Sequence, residues 1–181
     1  TIVTKTTMIK VFADQQKYED AEALFKSIHK HEQDIVTKNT MIKVFADQQK
    51  YEHAETLFMS ITKDEQTIVT KTTMIKVFAD QQKYQDAEAL FKSIHKHEQT
   101  IVTKTTMIKV FADQQKYEDA EALFKSIHKH EQDIVTKNTM IKVFADQQKY
   151  EHAETLFMSI TKDEQTIVTK TTMIKVFADQ Q

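Results

Sequence analysis

The chain has 181 residues, 25 of them basic and all of those lysine, against 27 acidic residues, for a formal net charge of -2. With 40% hydrophobic and 29% charged residues, it has the composition of a folded chain rather than a disordered one. It contains no Cys, Gly or Pro, which excludes disulfides, thiolate chemistry and the glycine-rich loops by which P-loop and dinucleotide-binding enzymes approach phosphate.

No apolar run approaches the roughly 20 residues of a membrane span, and the opening segment lacks the apolar core of a signal peptide. Compared with itself, the chain is periodic. The string TIVTKTTMIKVFADQQKYEDAEALFKSIHKHEQ, residues 1–33, returns at 34, 67, 100 and 133 and begins again at 166. The whole of 1–181 is therefore expected to form one array, with repeats 1–33, 34–66, 67–99, 100–132 and 133–165 and a half repeat 166–181. Two versions alternate: one fills 1–33, 67–99 and 100–132, the other fills 34–66 and 133–165, and residues 1–82 recur unchanged as 100–181. A period of this size means stacked units that cannot bury their apolar faces alone.

In chain order, the first predicted helix of a unit carries Met8, Ile9, Phe12 and Ala13 at helical spacings of three and four. Thr4 is placed to cap its N-terminus, and Met8 and its copies are assigned to the core. Asp14 to Lys17 break the pattern. A second helix follows, with Tyr18, Ala21, Leu24, Phe25 and Ile28 on its apolar face. Glu19 and Asp20 open it and Lys26 and Lys30 close it, in agreement with the helix dipole, and Glu22 lies four residues before Lys26. Glu19, Asp20 and Glu22 are expected on a solvated face. Helices this short are marginal alone, so neighbouring units must supply the stability. The expected fold is an all-α solenoid of five helix pairs and a lone last helix. Apolar faces left uncapped at both ends make end-to-end self-association an expectation, and the chain reads as a fragment.

Two helical-repeat families suit such a pair. The tetratricopeptide repeat would fit KYEDAEALF, but it needs small residues where this chain has Ile9 and Ile28. The string V-T-K-N-T-M-I followed by Y-x-x-A-x-x-L-F-x-x-I instead resembles the pentatricopeptide repeat, over essentially the whole chain. That resemblance implies a right-handed superhelix of stacked antiparallel helix pairs. Three departures stand out: the unit is slightly shorter than the family's usual repeat between Ile28 and Asp34, Lys5 replaces the usual aromatic, and Asp14 occupies a slot that often holds a phosphate-facing lysine.

The resemblance implies binding of single-stranded RNA, one base per repeat. The first base-reading residue would be Thr6, Asn39, Thr72, Thr105 or Asn138, with the unpaired Thr171 last. The second would be Asp34, Thr67, Thr100, Asp133 or Thr166. Val3, Val36, Val69, Val102, Val135 and Val168 would flank the bases. By the family's pairing rule, Thr6 with Asp34 and Thr105 with Asp133 imply guanine. Asn39 with Thr67 and Asn138 with Thr166 imply a pyrimidine, and Thr72 with Thr100 implies a purine, giving 5'-G-Y-R-G-Y-3'. The chemistry is sensible, since a carboxylate only accepts hydrogen bonds and favours a base edge rich in donors. The plain alternative is that Thr, Asn and Asp at helix starts are ordinary caps.

Each lead-helix segment has two lysines and one aspartate, with Asp34 and Asp133 adding a second aspartate in two of them, so the lead helices are mildly basic and the remainder acidic. Phosphate would then choose the lead-helix side. The candidate contacts are Lys5, Lys10, Lys38, Lys43, Lys71, Lys76, Lys104, Lys109, Lys137 and Lys142. Without arginine, the expected binding is weak and strongly salt-dependent.

Other constellations carry less. His29 and His31 form H-x-H, read here as lying at the end of the second helix, where residues two apart point to nearly opposite sides and one metal is hard to share. Ser27 beside His29 lacks the geometry of a nucleophile and base. No catalytic residue, metal or cofactor is expected. The sequence thus points to a non-catalytic RNA-binding array, the alternative being a peptide- or protein-binding scaffold of the tetratricopeptide kind, and the family resemblance implies a mitochondrion or plastid.

Overall fold

Each full repeat folds as a lead helix of 13 residues, a tight turn and a second helix of 9 residues. The computed structural model describes residues 1–179. Among these, the lead helices are α1 (Ile2–Asp14), α3 (Ile35–Asp47), α5 (Ile68–Asp80), α7 (Ile101–Asp113), α9 (Ile134–Asp146) and α11 (Ile167–Asp179). The second helices are α2 (Tyr18–Lys26), α4 (Tyr51–Met59), α6 (Tyr84–Lys92), α8 (Tyr117–Lys125) and α10 (Tyr150–Met158). The all-α, paired-helix fold class read from the sequence is therefore the observed one. No described helix is long and apolar enough to cross a membrane.

The cap of the lead helix lies three residues earlier than the sequence reading put it. Thr1 caps α1 and Asp34 caps α3, each accepting a hydrogen bond from the backbone N–H three residues on, Thr4 in the first case and Thr37 in the second. Thr4 is thus inside the helix, and its copies Thr37, Thr70, Thr103, Thr136 and Thr169 are fully buried. An extra turn of helix forms because the cap residue has a short side-chain acceptor and an extended backbone, φ -72° and ψ 170° at Asp34.

Lead helices end without glycine. Gln16, Gln49, Gln82, Gln115 and Gln148 take φ between 57° and 60°. Around Gln16 the Lys17 N–H donates to Phe12 O at 2.8 Å and the Gln16 N–H to Ala13 O at 2.9 Å, the paired bonds of a Schellman motif. The lack of glycine therefore does not prevent left-handed turns in this chain. The second helix stops at Lys26, so Ile28 and Lys30 lie beyond it. Ile28 is nevertheless buried, 2% exposed. Its carbonyl accepts the Gln33 side-chain amide at 3.0 Å, which pins the link to the next repeat.

The core is made of the same offsets in each repeat. Ile9, Met41, Ile42, Met74 and Ile75 are fully buried, as are Ala21, Ala54 and Ala87, where lead and second helices approach closely. Met8 is the exception to its series, being partly exposed while Met41, Met74, Met107 and Met140 are buried.

The contacts gather into two compact units, Thr1–Ile94 and His95–Gln181. In the first, α1 packs on α3 and α3 on α5, and α2 and α4 each rest on their own lead helix and on the next one. The second unit repeats this arrangement with α7, α9 and α11 and with α8 and α10. Glu22 belongs to this cross-repeat packing and not to a solvated face. Its side chain, 15% exposed, pairs with Lys50 and accepts from Gln48 Nε2 at 3.2 Å. Glu55 does the same with Lys83 and Gln81, and Glu121 with Lys149 and Gln147. Burial pushes these carboxyls up, but the lysine and glutamine hydrogen bonds and the lysine charge outweigh it and hold them below 4.5.

Candidate nucleic-acid interface

Along a lead helix, the third, seventh, tenth and fourteenth residues of the repeat fall on one face. Val3, Lys10 and Asp14 are all exposed there. Val36, Val69, Val102, Val135 and Val168 repeat the exposure of Val3, which is 70% accessible. Lys43, Lys76, Lys109 and Lys142 stand equally open. Between α9 and α11 this face holds a groove of about 350 Å³ lined by Lys142, Asp146, Val168, Thr171, Thr172 and Lys175. An apolar side chain, two hydroxyls and two lysines thus converge there, with one carboxylate among them.

The sixth residue of the repeat sits at the margin of this face. Thr6, Asn39, Thr72 and Asn138 are half-buried, and Thr105 is 6% exposed. The cap residues Asp34, Thr67, Thr100, Asp133 and Thr166 are exposed. Within a unit, the residues that the sequence reading paired are brought together through the buried threonine that follows the cap. Thr6 Oγ1 lies 2.5 Å from Thr37 Oγ1, whose hydroxyl donates to Asp34 Oδ1 at 2.7 Å. Thr105, Thr136 and Asp133 repeat the chain at 2.6 Å and 2.7 Å. In the second repeat, Thr70 Oγ1 donates to Asn39 Oδ1 at 2.6 Å, and Asn39 Nδ2 donates to Thr67 Oγ1 at 3.4 Å. In the fifth, the Thr169 hydroxyl instead pairs with Thr166 Oγ1 at 3.0 Å, and Asn138 Oδ1 has no hydrogen-bond partner among the described residues. Thr72 lies in the first unit and Thr100 in the second, where Thr100 caps α7.

Sequence reasoning misses these threonines as site residues because Thr4 reads as a cap. The available signal was a polar residue at the fourth position of every repeat, one turn before the buried Met8 series.

The phosphate candidates divide into two sets. Lys5 Nζ donates to Ser27 O at 3.1 Å and to Ser27 Oγ at 3.3 Å, so it faces the C-terminus of α2, whose carbonyl pole attracts an ammonium. Lys71 and Lys104 reach Ser93 O and Ser126 O at 3.5 Å. Lys38 and Lys137 line separate grooves on the second-helix side, of about 840 Å³ and 1020 Å³, floored by Phe45 and Phe144. This set is turned away from the open lead-helix face and is withdrawn from the phosphate assignment.

The histidine pair also departs from expectation. His29 and His31 lie past the end of α2, at and within a short 3-10 turn, and their rings stack at 5.7 Å instead of pointing apart. Near-parallel rings do not converge on a shared ion, and among the described residues no group of three or more His, Asp or Glu is placed to hold a metal ion.

The paired helices, the repeated cap and threonine cluster and the open lead-helix face define a helical-repeat binding scaffold. The match to a family model described as PPR repeat covers residues 3–32, 36–65, 69–98, 102–131 and 135–164, and the chain belongs to the pentatricopeptide repeat family. The crystal structure of the pentatricopeptide repeat protein PPR10 from maize shares the fold, with a TM-score of 0.62 at 16% identity, over 100% of this chain and 26% of that one. The present chain therefore spans about a quarter of that protein's length. No curated protein matches it.

Proposed function

We propose that the chain binds single-stranded RNA, one base per repeat, and performs no reaction on it. Pentatricopeptide repeats are in general RNA-binding scaffolds. The observation that carries the finer reading is the meeting of Asn39 with Thr67, 28 residues apart in sequence, and of Thr6 with Asp34 through Thr37, with the exposed Val3 and Val36 three residues before Thr6 and Asn39 on the same helices. Such clusters put hydrogen-bonding groups next to apolar side chains at the same offset in successive repeats, as reading a row of stacked bases requires. Lys10, Lys43, Lys76, Lys109 and Lys142 are the phosphate contacts of this reading. The preferred sequence is 5'-G-Y-R-G-Y-3'. Binding of GCAGC and CGUCG oligonucleotides, compared at two salt concentrations, tests it: tighter binding of GCAGC that weakens with salt is expected, and equal affinity for both would end it.

A second reading, a peptide-binding scaffold, is favoured by one feature only. The grooves between α2 and α4 and between α8 and α10 combine the aromatic floors of Phe45 and Phe144 with rims that include Lys26 and Lys125. Competition by RNA for any bound peptide separates the two, because the RNA reading uses the lead-helix face.

A further inference from the structure

The buried threonine at the fourth position of the repeat is not itself one of the paired code residues, yet the pairs meet through its hydroxyl oxygen. Its proton fixes the direction of the cluster. Thr37 is fully buried, and its hydroxyl hydrogen goes to Asp34 Oδ1 at 2.7 Å, the same oxygen that accepts the Thr37 N–H at 2.8 Å. A hydroxyl has one hydrogen. The Thr6 hydroxyl lies 2.5 Å from Thr37 Oγ1 and 3.0 Å from the Ile2 carbonyl oxygen, so the acceptors for its single hydrogen are both on the inner side and that hydrogen is spent inward. What Thr6 and Asp34 still offer outward is acceptors alone: a hydroxyl lone pair and the second carboxylate oxygen. Thr105, Thr136 and Asp133 give the same result.

Where the cap is threonine the direction reverses. Thr70 gives its hydrogen to Asn39 Oδ1 at 2.6 Å, so Thr67, 2.9 Å away, must donate to Thr70. Thr67 Oγ1 also accepts from the Thr70 N–H at 3.2 Å and from Asn39 Nδ2, which uses up its capacity. Outward there remain one N–H and one carbonyl lone pair of Asn39, a mixed donor and acceptor pair.

Resting on the RNA reading above, we propose that Thr37 and Thr136 are positioning residues for base selection: they turn the neighbouring threonine and aspartate into an acceptor-only pair that selects the donor-rich guanine edge, whereas Thr70 fixes the Asn39 amide so that it presents one donor and one acceptor. Without the inner hydroxyl, the outer threonine is free to rotate and can donate as well as accept, so the carboxylate alone no longer separates guanine from other amino-bearing bases.

The test uses Thr37→Val in the full chain, with binding measured to GCAGC, ACAGC and GCAAC. The expected result is that the guanine preference at the first nucleotide falls roughly tenfold, while the preference at the fourth, read through the unchanged Thr136, stays as in the parent. Thr136→Val should show the mirror image, and Thr37→Ser should keep both preferences. The fourth nucleotide is an internal control for folding. If the branched valine disturbs packing, Thr37→Ala removes the same hydroxyl with a better helix former and must give the same readout. A parent chain that separates guanine from adenine at both positions, with Thr37→Val and Thr37→Ala separating them equally well, overturns the positioning role alone. A parent chain that separates them at neither position overturns the RNA reading and this inference with it.

Discussion

Lys5 Nζ donates to the carbonyl of Ser27, the residue that ends the second helix of its own repeat, at 3.1 Å. A lysine in this place balances a helix pole and is not available to a polyanion. Replacing Lys43 and Lys109, which stand open on the lead-helix face, by alanine is expected to lower the slope of log K against log salt by about one for each. Replacing Lys5 and Lys104 should leave the slope unchanged and lower thermal stability slightly. A filter-binding series across salt concentrations decides between the two sets, and a slope that responds only to Lys5 and Lys104 would refute the assignment.

Asp47 and Asp113 are exposed at the far end of the same face, and Asp146 lines the groove beside Lys142. Their charges oppose phosphate. Asp47→Lys with Asp113→Lys should tighten RNA binding by roughly tenfold at low salt and much less at high salt, where screening lengths fall to about 3 Å. Weaker binding at low salt would mean that RNA does not follow this face.

Five glutamines hold left-handed backbone at the turns between paired helices. For a residue with a Cβ that conformation costs roughly 1–2 kcal/mol, of which glycine's extra freedom in the unfolded chain takes back about 0.5–1 kcal/mol. Gln49→Gly and Gln115→Gly are therefore expected to raise stability by roughly 0.5 kcal/mol each, read as a higher urea midpoint with an unchanged m-value. A lower midpoint would show that the glutamine side chains contribute more than the strain they carry.

Glu22, Glu55 and Glu121 have carboxyls held below 4.5 by their lysine and glutamine partners, against the opposing effect of burial. A group whose folded value is depressed contributes stability above its unfolded value and loses it as the pH falls through the folded one. The melting temperature should therefore drop as the pH is lowered below the ordinary glutamate range. Because Lys50 and Lys149 are more than a third exposed, the effect of each site is modest. Glu22→Gln with Glu121→Gln should melt lower at neutral pH and show a shallower acid drop. An unaltered acid profile would locate the sensitivity elsewhere.

Periodicity made the helix pairs legible, since Met8, Ile9, Phe12 and Ala13 could not fall on one face in any other regular structure. Boundaries were less legible. Thr1 and Thr4 are the same residue type three positions apart, and only the observed bond from the Thr4 N–H to Thr1 Oγ1 tells the cap from the residue inside the helix. Likewise nothing local separates Lys5 from Lys10. One turns to a helix end 22 residues away and the other to the open, a difference set by tertiary packing. Glu22 looked solvated because its partners, Gln48 and Lys50, belong to the next repeat and carry no sequence signal of their own.

The identity of residues 1–82 with 100–181 has a cost during folding. Every lead helix presents nearly the same apolar stripe, so α3 can be covered by α10 almost as well as by α4. Proximity along the chain is then the main force selecting the native pairing. Slipped registers and exchange of helices between molecules become close competitors, and refolding at high protein concentration should populate such traps.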